Sequence, residues 1–125
     1  MNKQLILIAT AALFITSCKT TLSRMTFANN DVAKQTTADD QLFRDLLTDK
    51  GGISFADFAL FPNVKERIVT NIKVIVPYDN HKTGVERWTI EHVGQGSCSY
   101  VVRFIPDGSG GTTFTVQKDN GTIKQ

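Results

Sequence analysis

The chain has no cluster of basic residues. Its 14 lysines and arginines are scattered among 12 acids, so no face concentrates the positive charge that a nucleic-acid binder presents. Nor does it hold an apolar run long enough to cross a bilayer: Leu5 to Ile15 spans eleven residues, against the roughly 20 a spanning helix needs. Cysteine is limited to Cys18 and Cys98, and His81 and His92 stand at no close ligating spacing, so no metal site and no cofactor are expected. The glycine-rich segment 106–111 has no Gly-Lys-Ser/Thr ending and reads as a hairpin loop, not a phosphate cradle. Asp107 lacks neighbouring acids to complete a calcium loop. Ser54, Ser97, Ser99 and Ser109 have no nucleophile-elbow context, and nothing pairs Asp79, Glu86 or Glu91 for acid–base work. These absences argue against an enzyme.

What is present begins at the first residue. A short polar start with one cation (Asn2, Lys3) precedes the apolar run, and small polar residues close it at Thr16-Ser17-Cys18. That is the layout of a secretory signal peptide. Ile15-Thr16-Ser17-Cys18 resembles the bacterial lipobox, in which the cysteine is lipidated and becomes residue one of the mature protein. The resemblance covers residues 1–18 and implies a diacyl thioether on Cys18, usually with a third chain on the amine. Two or more acyl chains give durable attachment, at about 0.8 kcal/mol per buried methylene. Lys19 follows the cysteine, with no Asp in its place; in Gram-negative lipoproteins this resembles the default for transfer to the outer membrane. The implied address is the outer membrane, facing the periplasm.

Removal of residues 1–17 leaves 108 residues, enough for one domain, with 13 cations against 12 acids. Cys98 is then a lone thiol, expected as a small buried hydrophobe on a strand. Residues 18–38 read as the lipidated cysteine and a flexible tether, rich in Thr, Asn, Lys and Ala, within which Met25 and Phe27 are apolar enough to dock locally. The domain is expected over 39–125.

Asp39 and Asp40 suit a helix N-terminus, and Leu42, Phe43, Leu46 and Leu47 recur on one helical face. Lys50 and Gly51-Gly52 supply the stop, giving a helix over about 39–49. Ser54 is expected to cap a second short helix through Leu60, with Asp57 in its first turn; residues 63–69 read as helix or strand equally. From Asn71 the period changes to two. Ile72, Val74 and Val76 mark one strand. Val85–Val93 forms the next, with Trp88, Ile90 and His92 on one face. Ser97–Ile105 follows, with Cys98, Tyr100, Val102 and Phe104 together, and Thr112–Lys118 is the last. The expected fold is α+β: one or more N-terminal helices packed on a four-stranded antiparallel meander. The order resembles cystatin-like helix-on-sheet folds, a likeness of topology that implies no activity.

Two functional expectations follow. The first is a non-catalytic, lipid-anchored envelope protein: membrane-bound through Cys18, contacting a protein or peptide partner, and not nucleic acid. The alternative is a periplasmic carrier or enzyme with an apolar cleft lined by Phe55, Phe58, Phe61, Trp88 and Tyr100. A Cys98 nucleophile with His92 as base is conceivable because both can share a face, but that face is expected to be buried, away from the accessible thiolate such chemistry needs.

Overall fold

The structure is a computed structural model and describes residues 25–120. Its elements, in chain order, are β1 (Met25–Phe27), α1 (Asn30–Ala33), α2 (Asp40–Thr48), α3 (Ile53–Leu60), β2 (Arg67–Val76), β3 (Gly84–His92), β4 (Gly96–Pro106) and β5 (Thr112–Lys118). Among the described residues no helix is long and apolar enough to cross a membrane. Residues 1–18, read from the sequence as a signal peptide ending in a lipidated cysteine, lie outside the described residues.

The architecture is α+β, and the four-stranded antiparallel meander runs through β2, β3, β4 and β5. The sheet is nevertheless five-stranded and mixed: β1 pairs parallel to β2, Met25 opposite Arg67 and Phe27 opposite Val69. A parallel partner needs a crossover of a dozen or more residues, and α1, α2 and α3 supply it. Residues 25–38, read from the sequence as tether, are therefore folded. Met25 is buried, Asn29 caps α1 by accepting the Val32 N–H at 3.0 Å, and Gln35 Oε1 accepts the Ile72 N–H at 3.0 Å.

Each helix begins where backbone chemistry allows. Asp39 caps α2, its carboxylate accepting the Leu42 N–H at 2.8 Å, and the helix turns Leu42 and Leu46 into the core. The α3 cap is Gly52, not Ser54. Ser54 lies inside the helix, buried, with its hydroxyl on Met25 Sδ. Gly52 is required by space: a Cβ there would lie 2.1 Å from the Leu46 carbonyl oxygen. The α2–α3 corner closes only without a side chain.

In β2 the inward residues are Arg67 and Val69, then Ile72. A register shift between Val69 and Asn71 makes this possible, because one extra residue moves every later side chain to the opposite face. The segment 63–69, open between helix and strand, thus resolves as a loop leading into a strand that starts at Arg67. The core gathers Leu42, Leu46 and Ile53 from the helices against Val69, Ile72, Trp88, Ile90, Tyr100, Val102 and Phe104 of the sheet.

Of the 106–111 segment, Pro106 ends β4 and residues 107–111 form the β4–β5 hairpin loop. Asp107 Oδ1 accepts the Ser109 N–H at 2.8 Å, the Ser109 hydroxyl at 3.0 Å and the Gly111 N–H at 3.0 Å, with Gly108 and Gly110 at positive φ. These bonds, the Ser109 amide first, hold the exposed Asp107 carboxyl below its ordinary value. A depressed folded value means that the unfolded chain binds more protons. The contribution to stability is therefore present above the ordinary carboxylate range and lost as pH falls through the folded value. An NMR titration should show the Ser109 and Gly111 amide shifts moving together at a midpoint below that of a free Asp, and Asp107→Asn should abolish the transition. A midpoint at the ordinary value would contradict this reading of the loop.

Candidate functional site

A carboxylate at zero exposure organises the polar centre of the domain. Asp57 faces the same way as Ile53, one helical turn earlier, and both are fully buried. Burying a charge is costly unless it is paired and hydrogen-bonded, and donors from three strands meet this one. Arg67, the first residue of β2, donates from Nε to Asp57 Oδ2 at 2.7 Å. His92, the last residue of β3, places Nε2 2.9 Å from both carboxylate oxygens. On β4, Tyr100 donates its hydroxyl to Oδ1, and the Cys98 thiol reaches the same oxygen at 3.6 Å. Cys98 Sγ also lies 3.9 Å from His92 Nε2.

The rest of the guanidinium is engaged as well. Arg67 donates to the Val64 carbonyl at 2.9 Å and to the Phe61 carbonyl that ends α3, while the Phe58 ring lies 5.5 Å from its Cζ. Phe61 packs against His92 in a tilted pair, centroids 4.7 Å apart and planes at 49°. Burial pushes the half-buried Cys98 thiol above its ordinary value, and the neighbouring Asp57 charge adds to this. Tyr100 is raised further, by burial first and then by its bond to Asp57. Both groups are held protonated at neutral pH.

The five aromatic residues read from the sequence as cleft-lining divide into two environments. Tyr100, Phe58 and Phe61 surround the Asp57 group through its hydroxyl, Arg67 and His92 respectively. Trp88 belongs elsewhere, against Phe27 and Phe43 at centroid distances of 6.0 and 6.1 Å. Phe55 is half-buried on α3. Trp88 Nε1 donates to Glu86 at 2.9 Å. Glu86 is itself at zero exposure and accepts from the Thr36 hydroxyl at 2.8 Å and from the Thr37 amide and hydroxyl, each at 2.7 Å.

No family model, curated protein or solved structure matches the chain. His92 and Cys98 do share a face, as their strand positions imply. Asp57, Arg67 and Glu86 were missed as interior residues. For Asp57 the signal was its i+4 spacing from Ile53; for Glu86 it was the period of two that places it with Trp88, Ile90 and His92.

Proposed function

We propose that this chain is a lipid-anchored protein of the bacterial cell envelope whose folded domain is a non-catalytic module for a protein or peptide partner. The anchor rests on Leu5 to Cys18: apolar run, small-residue ending, cysteine. The non-catalytic half rests on one observation. The His92 nitrogen nearest Cys98 is the same nitrogen that meets Asp57. A thiol–imidazole–carboxylate relay needs the ring between its partners, one on each nitrogen, so that the carboxylate fixes the tautomer while the other nitrogen takes the proton. Here the thiol and the carboxylate both crowd His92 Nε2. A carrier cleft has less support, because Trp88 and Tyr100, two of its five rings, have zero exposure and offer no surface to a ligand.

The anchor is tested by intact mass of the mature protein and by membrane fractionation. The expected result is an acylated N-terminal Cys18 in the outer-membrane fraction, with Cys18→Ser losing the acyl mass and leaving that fraction. A wild-type mass without acyl groups would overturn the anchor. For the partner, photo-crosslinkers at the exposed Glu91 and Thr115 should give a discrete adduct in cells; repeated absence of one would count against an interaction module.

A further inference from the structure

We infer that Asp57, His92 and Cys98 form a binding site for a single borderline divalent cation, Zn2+ in the first instance. The inference goes beyond the anchored-module reading and rests on geometry alone. One ligand atom from each residue lies within 4.8 Å of the other two. Zinc bonds of about 2.0–2.3 Å in a tetrahedron set ligand–ligand edges of about 3.3–3.6 Å. The edges here are 2.9 Å from nitrogen to oxygen, 3.6 Å from sulfur to oxygen and 3.9 Å from sulfur to nitrogen. Shifts of roughly half an ångström therefore convert a hydrogen-bonded group into a coordination triangle.

The donor chemistry selects the ion. One thiolate, one imidazole and one carboxylate suit zinc, whereas calcium and magnesium call for oxygen alone. The remaining contacts already form an outer shell. Arg67 and Tyr100 hold the carboxylate from its other lone pairs, as supporting groups do around metal ligands. Two further bonds of the guanidinium go to the Val64 and Phe61 carbonyls, which turns part of its charge away from the ion. Thiolate and carboxylate oppose the divalent charge, and with the Arg67 guanidinium beside Asp57 the loaded site carries one positive charge in excess. Asp57 and His92 are buried, but Cys98 is only half-buried beside the exposed Gly96 and Ser97. An ion can enter from that side, and water would complete the tetrahedron. On binding, the Cys98 thiol proton goes to solvent, and the His92 Nε2 proton leaves for Nδ1 or for solvent, so at least one proton is released per ion.

The test uses the full chain in detergent with Cys18→Ser, so that Cys98 is its sole thiol. Calorimetry should give one equivalent of Zn2+ with proton release. Co2+ should give tetrahedral visible bands and a sulfur-to-metal charge-transfer band. Cys98→Ser, which keeps the Asp57–Arg67–Tyr100 bonds, should remove that band and weaken Zn2+ binding at least tenfold with an unchanged circular-dichroism spectrum. His92→Gln should also weaken binding, and its melting curve shows whether it is folded. Absence of a stoichiometric equivalent, an octahedral cobalt spectrum, or affinity unchanged in Cys98→Ser would each overturn the site. None of these results bears on Cys18 lipidation, which is measured separately.

Discussion

Asp57→Ala is expected to cost about 3–5 kcal/mol of folding stability, because it leaves Arg67 charged, buried and without its counterion. For a domain of this size that corresponds to a fall in Tm of about 15 °C or more. The loss is a penalty for orphaning a cation more than a measure of what the pair contributes, and a double mutant separates the two. Removing both charges in Asp57→Ala/Arg67→Met should cost less than the sum of the single losses, with a coupling on the order of 2 kcal/mol. Recovery should be incomplete, since Tyr100 and His92 also lose their acceptor. Urea denaturation of the four proteins gives the cycle. Strict additivity would mean that Arg67 is held by the Phe61 and Val64 carbonyls and not by Asp57.

Glu86→Ala should cost about 3 kcal/mol, by a different route. Among the described residues Glu86 has no ion-pair partner; its buried carboxylate is held by donated hydrogen bonds, each worth about 1.5–3 kcal/mol when the acceptor is charged. The Thr36 and Thr37 hydroxyls can turn elsewhere, but the Trp88 indole and the Thr37 amide have fixed directions. Because those threonines belong to the segment joining α1 to α2, the loss should be local as well as global. Hydrogen exchange at Thr37 should accelerate, and proteolysis between residues 33 and 40 should begin before the sheet unfolds. Glu86→Gln should sit between wild type and Ala, since it keeps one acceptor oxygen and presents an amide donor to other donors. An unchanged Thr37 exchange rate in Glu86→Ala would show that this segment is held by its apolar contacts instead.

Several features of the fold were legible because they are periodic. The alternation from Val85 to Lys118 assigned three strands and their faces, and the four leucine and phenylalanine positions of α2 with Asp39 before them assigned that helix nearly to the residue. β1 was not legible because three residues are too few to show alternation and its partner, Arg67–Val69, lies far along the chain. The bulge after Val69 also left no signal: a register shift depends on the opposing strand, not on the strand's own composition. The candidate site was half legible. Period two puts His92 and Cys98 on one face, but a carboxylate in a short aromatic helix reads as a solvent-facing first-turn residue until Arg67 and Tyr100 are brought to it. Glu86 failed for a related reason, since a charged residue on a strand is ordinarily counted with the outer face whatever its phase.

β1 also sets a distance. With β1 beginning at Met25, six residues separate Cys18 from that strand, not the twenty that a tether running to residue 38 would supply. Even at full extension that stretch reaches only about 25 Å. On the proposed acylation of Cys18, Met25 would lie within that distance of the lipid surface. A partner, on that reading, would meet the domain at the membrane rather than away from it.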